Sequence, residues 1–265
     1  MTRPLIAVDI GNSHIKVGVF DGVDCTGLPL PIQTFGQPLT ELDFASLRNV
    51  LPTDPCPWFV VSVQRQVEQQ LAAYVLKNQI ASRYHLISNH ELPIRIQVEK
   101  PDLVGTDRVI AACGVNLLRD CDRPAIVIDA GSAATVDFIS VTGEFCGGAI
   151  LPGKQMIANA LYEKTDLLPY VELSQMDSAP ESIGTSSVSA IYSGLHWGFV
   201  GGIRELVSRM QSQASVCPQI FISGGDAPIL SQEIEGDTFI VPELVLSAIN
   251  AEMTRRTLTS SAAQR

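Results

Sequence analysis

Near its amino end the sequence reads Leu5-Ile6-Ala7-Val8-Asp9-Ile10-Gly11-Asn12-Ser13-His14-Ile15-Lys16. A short apolar run that ends at an aspartate and a glycine predicts a buried strand followed by a turn. The alternation over residues 15–20 predicts a second strand directly after that turn. This stretch therefore predicts a strand–turn–strand unit with Asp-x-Gly at its tip.

The same unit returns later in the chain. Residues 125–128 predict a buried apolar strand, Asp129-Ala130-Gly131-Ser132 a turn, and residues 135–141 the next strand. Self-similarity at this distance indicates a duplicated domain rather than a short-period solenoid. Two similar halves that face each other form a cleft, and ligands bind preferentially at such interfaces. We expect an α/β protein with a duplicated half and a ligand cleft between the halves.

The first turn has the chemistry of a phosphate site. Gly11 lets the backbone approach a phosphate closely, and the N–H groups of Asn12 and Ser13 can form an anion-binding concavity. Asp9 is placed to hold a magnesium ion through water, and Lys16 could add a positive charge near the phosphates. A plain β-hairpin with a capping aspartate and a turn glycine explains the same residues, and this turn taken alone favours that structural interpretation. His14 fits a spectator in the turn better than a base.

The second turn repeats this chemistry. Gly131 and the hydroxyl of Ser132 can serve the distal phosphates, and Asp129 offers a second oxygen ligand for a cation. Two such turns that close on one nucleotide would form a clamp. Finding both together favours the nucleotide site over two unrelated hairpins.

A third group of residues, Gly105-Thr106-Asp107-Arg108, opens an Ala-rich helix predicted to end near residue 118. Asp107 near a helix N-terminus fits a simple capping residue, and spacing alone favours that interpretation. The group also fits a site for a phosphate acceptor. Arg108 could bind a carboxylate with two parallel hydrogen bonds, and Asp107 could take a proton from a hydroxyl group.

Composition excludes several classes of protein. The 265 residues include 28 acidic and 18 basic side chains, with a net charge of −10 and no run of Lys or Arg, so we expect no nucleic-acid partner. The six cysteines, Cys25 among them, are scattered without a C-x-x-C pair, which indicates reduced thiols rather than disulfides or zinc. No apolar stretch approaches the ~18 residues of a membrane span. We expect a cytoplasmic protein.

Other nucleotide and hydrolase motifs fit poorly. Residues 148–155 have G-x-x-x-x-G-K spacing, but Gln155 stands where a P-loop needs Ser or Thr, and Pro152 removes a backbone donor. No G-x-G-x-x-G occurs, which argues against a dinucleotide fold. The histidines and serines show no nucleophile-elbow pattern, so a hydrolase triad has no support.

Apolar spacing predicts the remaining elements. Helices are predicted over residues 39–51, 67–80, 154–161, 187–211 and 244–256. Strands are predicted over residues 58–63, 85–88, 94–98, 145–151 and from 219 into a Gly-rich turn ending at 226. Residues 257–265 are small and polar and predict a frayed tail.

Taken together, these residues resemble the type III pantothenate kinases. Residues 9–13, 105–108 and 129–153 occur in the order typical of that family. The third block is the most specific, with Asp-x-Gly-Ser-Ala-x-Thr-x-Asp followed by Gly143 and then Gly147-Gly148-x-Ile150-x-Pro152-Gly153. Further matches are Thr165-Asp166-Leu167-Leu168-Pro169, Ser193-Gly194 and Ser223-Gly224-Gly225. The resemblance spans residues 5–250.

The resemblance implies a fold of the acetate kinase–sugar kinase–Hsp70–actin superfamily, with ribonuclease H-like halves that each contain a mixed five-stranded sheet. We expect halves at residues 1–112 and 113–256, the second with dimer helices, and a polar tail at 257–265. The implied reaction moves the γ-phosphate of ATP to pantothenate, the first step of coenzyme A synthesis. It implies magnesium with ATP, a monovalent cation (K⁺ or NH₄⁺), and a homodimer.

The resemblance also assigns roles. It implies that ATP is bound by the first turn and by one residue of the second turn. These residues are Asp9, Ile10, Gly11, Asn12, Ser13, His14, Ile15, Lys16 and Ser132. Pantothenate binding falls to Gly105, Thr106, Asp107 and Arg108, with Asp107 as the proton acceptor. Asp129 is implied as a ligand of the monovalent cation. Ser187 stands where relatives have a Thr that reaches the substrate, often across the dimer.

This chain departs from the family pattern at two places. Val98-Glu99-Lys100-Pro101 replaces the Tyr-x-Asn-Pro of many relatives, which predicts an acceptor pocket with a different lining at Val98. Ser132 replaces a more common Thr and keeps the hydroxyl. Two other functions stay open from sequence: a catalytically weak accessory or regulatory relative, and an actin-like kinase for another alcohol. The carboxylates at Asp9, Asp107 and Asp129 argue against the accessory protein.

Overall fold

The structure is a computed structural model that describes residues 4–21, 28–173 and 178–262. Its contacts divide the chain into two compact units. The first unit holds the described residues up to Asp122, together with Ser140–Cys146 and the described residues from Pro242. The second holds Arg123–Ile139 and the described part of Gly147–Val241. Cys25, predicted to be a reduced thiol, and residues 263–265, the end of the predicted frayed tail, lie outside the described residues.

The helices and strands of the described chain are numbered in sequence order. The strands are β1 (Leu5–Ile10), β2 (His14–Phe20), β3 (Gln33–Pro38), β4 (Cys56–Ser62), β5 (Ala81–Leu86), β6 (Ala125–Ala130), β7 (Ala133–Ile139), β8 (Phe145–Pro152), β9 (Gln219–Gly224) and β10 (Thr238–Ile240). The α-helices are α1 (Arg65–Lys77), α2 (Thr106–Asn116), α3 (Lys154–Glu163), α4 (Ser187–Gln213), α5 (Ala227–Glu233) and α6 (Leu244–Ala262).

The first unit is built on a five-stranded sheet in the order β3-β2-β1-β4-β5. Strand β1 pairs antiparallel with β2 and parallel with β4, so the sheet is mixed. Its core comes from alternate residues of these strands, and Trp58 is its largest fully buried side chain. Burial of this apolar surface is the main force that stabilises the unit.

The second unit repeats this plan in a five-stranded sheet ordered β10-β9-β6-β7-β8. Read from β8, this order is that of the first sheet, with β6 in the place of β1. Strand β6 pairs antiparallel with β7 and parallel with β9, as β1 does with β2 and β4. The prediction of a duplicated α/β half with a mixed five-stranded sheet is therefore confirmed.

Close packing of α2 against α6 fixes the helix that carries Asp107. A Cβ atom built on Gly114 would lie 2.8 Å from the Cβ of Ala248, so only glycine allows the two helices to approach this closely. Helix α6 also packs on β1, β2 and β4 and belongs to the first unit.

The predicted domains at residues 1–112 and 113–256 stay a prediction.

The helix predicted over residues 39–51 is wrong. The segment forms two short 3-10 helices, Leu39–Glu41 and Phe44–Asn49. The carboxylate of Asp43 accepts a hydrogen bond from the N–H of Ala45 at 3.0 Å and starts a new turn there. A side chain that bonds its own backbone in this way competes with a continuous helix.

The strand predicted over residues 94–98 is also wrong. Within the described chain only Ile96 forms a β-bridge, with Phe145. The N–H of Gln97 donates to the carbonyl oxygen of Phe145, and the N–H of Phe145 donates to that of Arg95, at 2.7 and 2.9 Å. Phe145 therefore makes both hydrogen bonds of this bridge. Among the described strands, the alternating segment has no neighbour with which it could form a longer ladder.

The frayed tail predicted from residue 257 is corrected in part, because α6 continues to Ala262. The other predicted helices and the strand at 145–151 occur with ends shifted by a few residues, whereas the strand predicted at 85–88 lies at Ala81–Leu86. Strands β3 and β10 and helix α5 were not predicted. In the described parts of the chain, no helix has the length and hydropathy needed to cross a membrane.

Candidate active site

The first Asp-x-Gly turn joins β1 to β2 as predicted. Asp9 lies opposite Lys16 in the antiparallel pair, and the N–H of Gly11 donates to the carbonyl oxygen of His14 at 3.0 Å to close the turn. The side chains of Ile10 and Ile15 are fully buried in the core. These two residues therefore offer only backbone groups to a ligand.

The polar side chains of this turn face outward. Asn12, His14 and Lys16 are exposed, and Ser13 is half-buried. The Oδ1 atom of Asn12 accepts a hydrogen bond from Nε2 of Gln64 at 3.4 Å. This contact ties the turn to the end of β4.

The charge of Lys16 already has a partner. Its Nζ lies 3.4 Å from Oε2 of Glu243, the residue just before α6. Glu243 has φ of 49°, a left-handed conformation that is rare for a residue with a side chain. The sequence did not identify Glu243, because the residues around it do not indicate that its side chain contacts Lys16 on β2.

The second turn is bounded by backbone that approaches very closely. The N–H of Gly153 donates to the carbonyl oxygen of Ser132 at 3.1 Å. A Cβ at Gly153 would lie 2.5 Å from that oxygen and 2.6 Å from that of Gly131. On the other side, Gly224 has φ of 91° and would place a Cβ against the carbonyl oxygen of Ala130. The turn is therefore held between two glycines.

These contacts also bear on the G-x-x-x-x-G-K spacing of residues 148–154. In a P-loop the N–H of the second glycine points at phosphate. Here the N–H of Gly153 bonds to Ser132, and the Nζ of Lys154 lies 2.6 Å from Oδ1 of Asp226. The segment thus supports the second turn, and its lysine joins the start of α3 to the turn after β9. The sequence did not identify this ion pair.

Asp129 and Ser132 occupy the positions expected from the sequence. Asp129 is half-buried near the end of β6, where it faces Thr135 on β7 and Ser223 on β9. Ser132 is half-buried in the turn itself. A single half-buried carboxylate near such a turn fits a cation that takes its other ligands from phosphate and water.

The predicted acceptor residues begin α2. Gly105 is the N-cap and Asp107 lies in the first turn, where its Oδ1 accepts a hydrogen bond from the N–H of Arg108 at 2.9 Å. A Cβ at Gly105 would clash with the same Oδ1, so a larger residue here would displace the carboxylate of Asp107. Asp107 therefore makes the local bond of a capping residue. The side chain of Asp107 is half-buried.

Burial raises the pKa of Asp107 above its ordinary value. The hydrogen bond from the N–H of Arg108 and the positive charge of that residue act in the opposite direction and are weaker. A carboxylate whose pKa is raised toward neutrality is a better proton acceptor than an exposed one. The environment of Asp107 suits a general base.

Arg108 is oriented by an aromatic ring. The carbon at the centre of its guanidinium group lies 5.5 Å from the ring centroid of Phe145, which is buried at the start of β8. A cation–π contact of this kind favours one placement of the guanidinium group. Val98, the position at which the chain departs from many relatives, is half-buried in the segment that precedes this site.

Ser187 lies apart from these residues in the sequence and is the first residue of α4. The preceding Ser186 forms a capping box with Ser189 and defines the start of the helix. Ser187 is exposed and borders a groove of about 550 Å³ between α3 and α4. The groove is lined by Ile157, Leu161, Leu168, Ser187, Ala190, Ile191, Gly194, Leu195, Gly198 and Phe199. Its apolar lining does not suit phosphate.

Metal ligands are sparse in the described part of the chain. No group of three or more His, Cys, Asp or Glu side chains there is arranged to enclose a metal ion. Asp9 and Asp129 are single carboxylates near the ends of their strands, beside glycine turns. A carboxylate at such a position fits a cation that arrives with nucleotide phosphates and keeps part of its water shell.

Comparison of the sequence with protein families agrees with this geometry. Residues 5–209 match the family model for type III pantothenate kinase. The chain is 32% identical to a type III pantothenate kinase from Legionella pneumophila strain Paris, with 92% of this chain and 96% of that protein covered. It is 28% identical to one from Dehalococcoides mccartyi strain CBDB1, with 94% of each protein covered.

Solved structures with low sequence identity share the fold. The ethanolamine utilization protein EutJ from Carboxydothermus hydrogenoformans matches with a TM-score of 0.55 at 13% identity, over 95% of this chain and 90% of that one. The inorganic polyphosphate/ATP-glucomannokinase from Arthrobacter sp. strain KM matches with a TM-score of 0.51 at 17% identity, over 96% and 100%. The fold is that of the actin-like sugar kinases. By its sequence, the chain belongs to the type III pantothenate kinase family.

Proposed function

We propose that this protein transfers the γ-phosphate of ATP to pantothenate and forms 4′-phosphopantothenate, the first step of coenzyme A biosynthesis. The observation that carries the proposal is the half-buried carboxylate of Asp107, with its raised pKa, beside Arg108 at the start of α2, in a chain of this family. Together they offer a base for a hydroxyl group and a cation for a carboxylate, and pantothenate has both groups.

In the proposed reaction Asp107 accepts the proton of the primary hydroxyl of pantothenate. The hydroxyl oxygen forms a bond to the γ-phosphorus, the bond from that phosphorus to the bridging oxygen of ADP breaks, and ADP leaves with the electron pair. Asp107 afterwards releases the proton to water. Arg108 holds the pantothenate carboxylate through two parallel hydrogen bonds, and Gly105 and Thr106 border the same substrate.

ATP is proposed to bind at the two Asp-x-Gly turns. Backbone N–H groups of the first turn, over residues 10–16, face the phosphates, and the hydroxyl of Ser132 contributes from the second. Kinases of this kind use ATP with a divalent metal ion, which neutralises negative charge on the phosphate oxygens when bound. Asp9 is proposed to hold magnesium through water, and Asp129 a monovalent cation.

A homodimer is part of the proposal. Large apolar side chains that are close in sequence to the groove residues Leu168 and Ser187 are exposed, with Leu167 92% and Ile183 81% exposed. Apolar surface of this kind favours association with another protein surface. In a dimer Ser187 would reach the acceptor site of the partner. Cys121 and Cys217 are exposed free thiols, which fits the reducing cytoplasm where we propose that the protein works.

The proposal is tested by measuring ADP release by the pure protein with pantothenate, in the presence of potassium or ammonium and again with sodium alone. We expect release that depends on pantothenate and on potassium or ammonium. Release with a different alcohol but not with pantothenate would favour an actin-like kinase of another specificity. No release with any acceptor, despite ATP binding, would favour the accessory or regulatory protein. Equal release in sodium would exclude the monovalent-cation role while leaving the kinase activity intact.

A further inference from the structure

A single side-chain amide holds the segment that leads into the acceptor residues. Asn89 lies in the short 3-10 helix Asn89–Glu91. Its Nδ2 donates hydrogen bonds to the carbonyl oxygen of Val104 at 2.8 Å and to that of Pro101 at 3.4 Å. Pro101 is the first residue of the 3-10 helix Pro101–Leu103, and Val104 follows this helix and directly precedes Gly105. The amide therefore bridges both ends of the segment.

Another side-chain contact between this segment and the turn of Asn89 is at the surface, where Nε2 of His90 lies 3.4 Å from Oδ1 of Asp102 and both side chains are exposed. Pro101, Asp102 and Leu103 are all exposed, and the side chain of Leu103 is 76% exposed. A three-residue 3-10 helix has weak internal hydrogen bonds. Because the three residues before Val104 are exposed, the hydrogen bond from Asn89 is a main contact that fixes the carbonyl group of Val104.

The orientation of the Asn89 amide supports a role as a donor. Its Oδ1 is buried and has no hydrogen-bond partner in the described structure. A flipped amide would place that oxygen against the two carbonyl oxygens and lose both bonds. A buried acceptor without a partner is destabilising, so the arrangement retains the two donated bonds at the expense of the oxygen.

Asn89 is itself anchored to the rest of the first unit. Oε1 of Glu91 accepts hydrogen bonds from both the N–H and the Oγ of Ser88, each at 3.0 Å, and completes a capping box. Oε2 of Glu91 lies 2.7 Å from Nε2 of His85 on β5 and 3.3 Å from Nη1 of Arg256 on α6. Nε of Arg256 also donates to Oε1 of Glu252 at 3.2 Å. The turn that presents Asn89 is thus fixed at two sides.

We propose that Asn89 is a positioning residue for the phosphate acceptor site. Its amide fixes the carbonyl of Val104, and with it the start of α2 where Asp107 and Arg108 project. The inference rests on the proposed function, since it assigns to Asn89 the placement of the residues that bind pantothenate. Catalysis is sensitive to such placement, because a displacement of about 1 Å can lower a rate about 10²-fold.

Asn89→Asp tests the proposal, because aspartate has the same shape and replaces the donor by an oxygen that faces two carbonyls. The matched control is Asn78→Asp. Nδ2 of Asn78 donates to the carbonyl oxygen of Tyr74 at 2.8 Å at the end of α1, so this variant loses a similar bond away from the acceptor residues. If Asn89→Asp does not fold, Asn89→Ala removes the amide without adding a charge.

We expect Asn89→Asp to lower kcat/KM for pantothenate by about 10-fold or more at saturating ATP, with KM for ATP changed less than about twofold. Asn78→Asp should change neither constant. An equal loss for both substrates that follows the loss in Tm would overturn the proposal, because it would show a general structural role. Unchanged kinetics for pantothenate would overturn it as well.

A second readout does not depend on activity. Hydrogen exchange measured by mass spectrometry on the protein without ligands should be faster in Asn89→Asp for peptides covering residues 101–108, and unchanged for β1 and β4. Unchanged exchange over 101–108 would show that Asn89 does not hold the segment. If the wild type turns over no pantothenate, the proposed function fails, whereas the exchange result still decides whether Asn89 holds the segment.

Discussion

The Oδ1 atom of Asp107 accepts a 2.9 Å hydrogen bond from the backbone N–H of Arg108, and that N–H also lies 3.1 Å from the carbonyl oxygen of Gly105. The N–H is therefore shared between two acceptors in the first turn of α2. A helix N-terminus stabilises a negative charge, whereas burial destabilises it. For Asp107 burial prevails, since its pKa is raised. At the start of α2, the hydrogen bond from Arg108 fixes the carboxylate of Asp107 in place, and burial raises its pKa.

Asp107→Asn should lower kcat at least ~10²-fold while ATP still binds, because the amide cannot accept the proton of the acceptor hydroxyl. ADP release and ATP binding by calorimetry measure the two effects separately. Asp102→Asn is the control, since Asp102 lies in the same segment with its side chain 74% exposed. Near-normal turnover in Asp107→Asn would refute the assignment of the base.

The same substitution should raise Tm at neutral pH. A carboxyl group whose pKa is higher in the folded than in the unfolded state stabilises the fold only at low pH, and that contribution is lost as the pH rises through the folded pKa. Asp107 is therefore destabilising near pH 7, and asparagine removes the cost of burying its charge. Thermal unfolding at pH 7 and at pH 4 should show a gain for Asp107→Asn that is larger at pH 7. A gain that is larger at pH 4 would contradict the raised pKa.

The raised pKa of Asp107 also predicts the acid limb of the activity profile. A general base must be deprotonated, so kcat at saturating substrates should fall as the pH falls through the pKa of Asp107. Since burial raises that pKa, the fall should occur at higher pH than for an exposed aspartate. The measurement is kcat as a function of pH. A profile without an acid limb above the ordinary range of aspartate would argue against Asp107 as the base.

Gly153→Ala should weaken ATP binding. The added Cβ would lie 2.5 and 2.6 Å from the carbonyl oxygens of Ser132 and Gly131, so the second turn must move. We expect KM for ATP to rise about 10-fold or more and the free energy of unfolding to fall by about 1–3 kcal/mol. Gly201→Ala is the control, because a Cβ there meets no atom within 4 Å and alanine favours the helix. An unchanged KM for ATP in Gly153→Ala would contradict a role of this turn in nucleotide binding.

Much of the fold could be predicted from local patterns. The apolar runs of β1 and β6, each followed by Asp-x-Gly, define both hairpins and therefore the duplication. These strands are buried and their hydrophobic pattern is strong. Strand β3, with the sequence Gln-Thr-Phe-Gly-Gln-Pro, has no such pattern and forms because β2 offers it a hydrogen-bonding edge. Tertiary pairing of this kind leaves little mark on the sequence.

The candidate site likewise has one part that the sequence predicted and another part that it did not. The glycines and carboxylates of the turns and of the start of α2 have short-range motifs and could be found from the sequence. Contacts between distant segments could not. Lys16 with Glu243, Lys154 with Asp226 and Asn89 with Val104 join residues whose separation in sequence gives no pattern to read.

The last prediction concerns His196, a histidine buried inside the second unit. His196 lies on α4 with 0% of its surface exposed, and in the described structure neither ring nitrogen has a hydrogen-bond partner. Burial, and then the charge of Lys154, lower its pKa below the ordinary value. Below about pH 6.5 the unfolded chain therefore binds a proton that the folded chain resists, and the free energy of unfolding falls.

His196→Leu removes this proton linkage and also removes two buried nitrogens without partners. We expect Tm of the variant to exceed that of the wild type, by a margin that grows as the pH is lowered from 8 to 5. Thermal unfolding across this range measures the margin. His90→Ala controls for the loss of a histidine as such, since the side chain of His90 is 78% exposed. A margin that stays constant with pH would show that His196 titrates alike in the folded and unfolded states, and that its burial does not set the acid stability of the second unit.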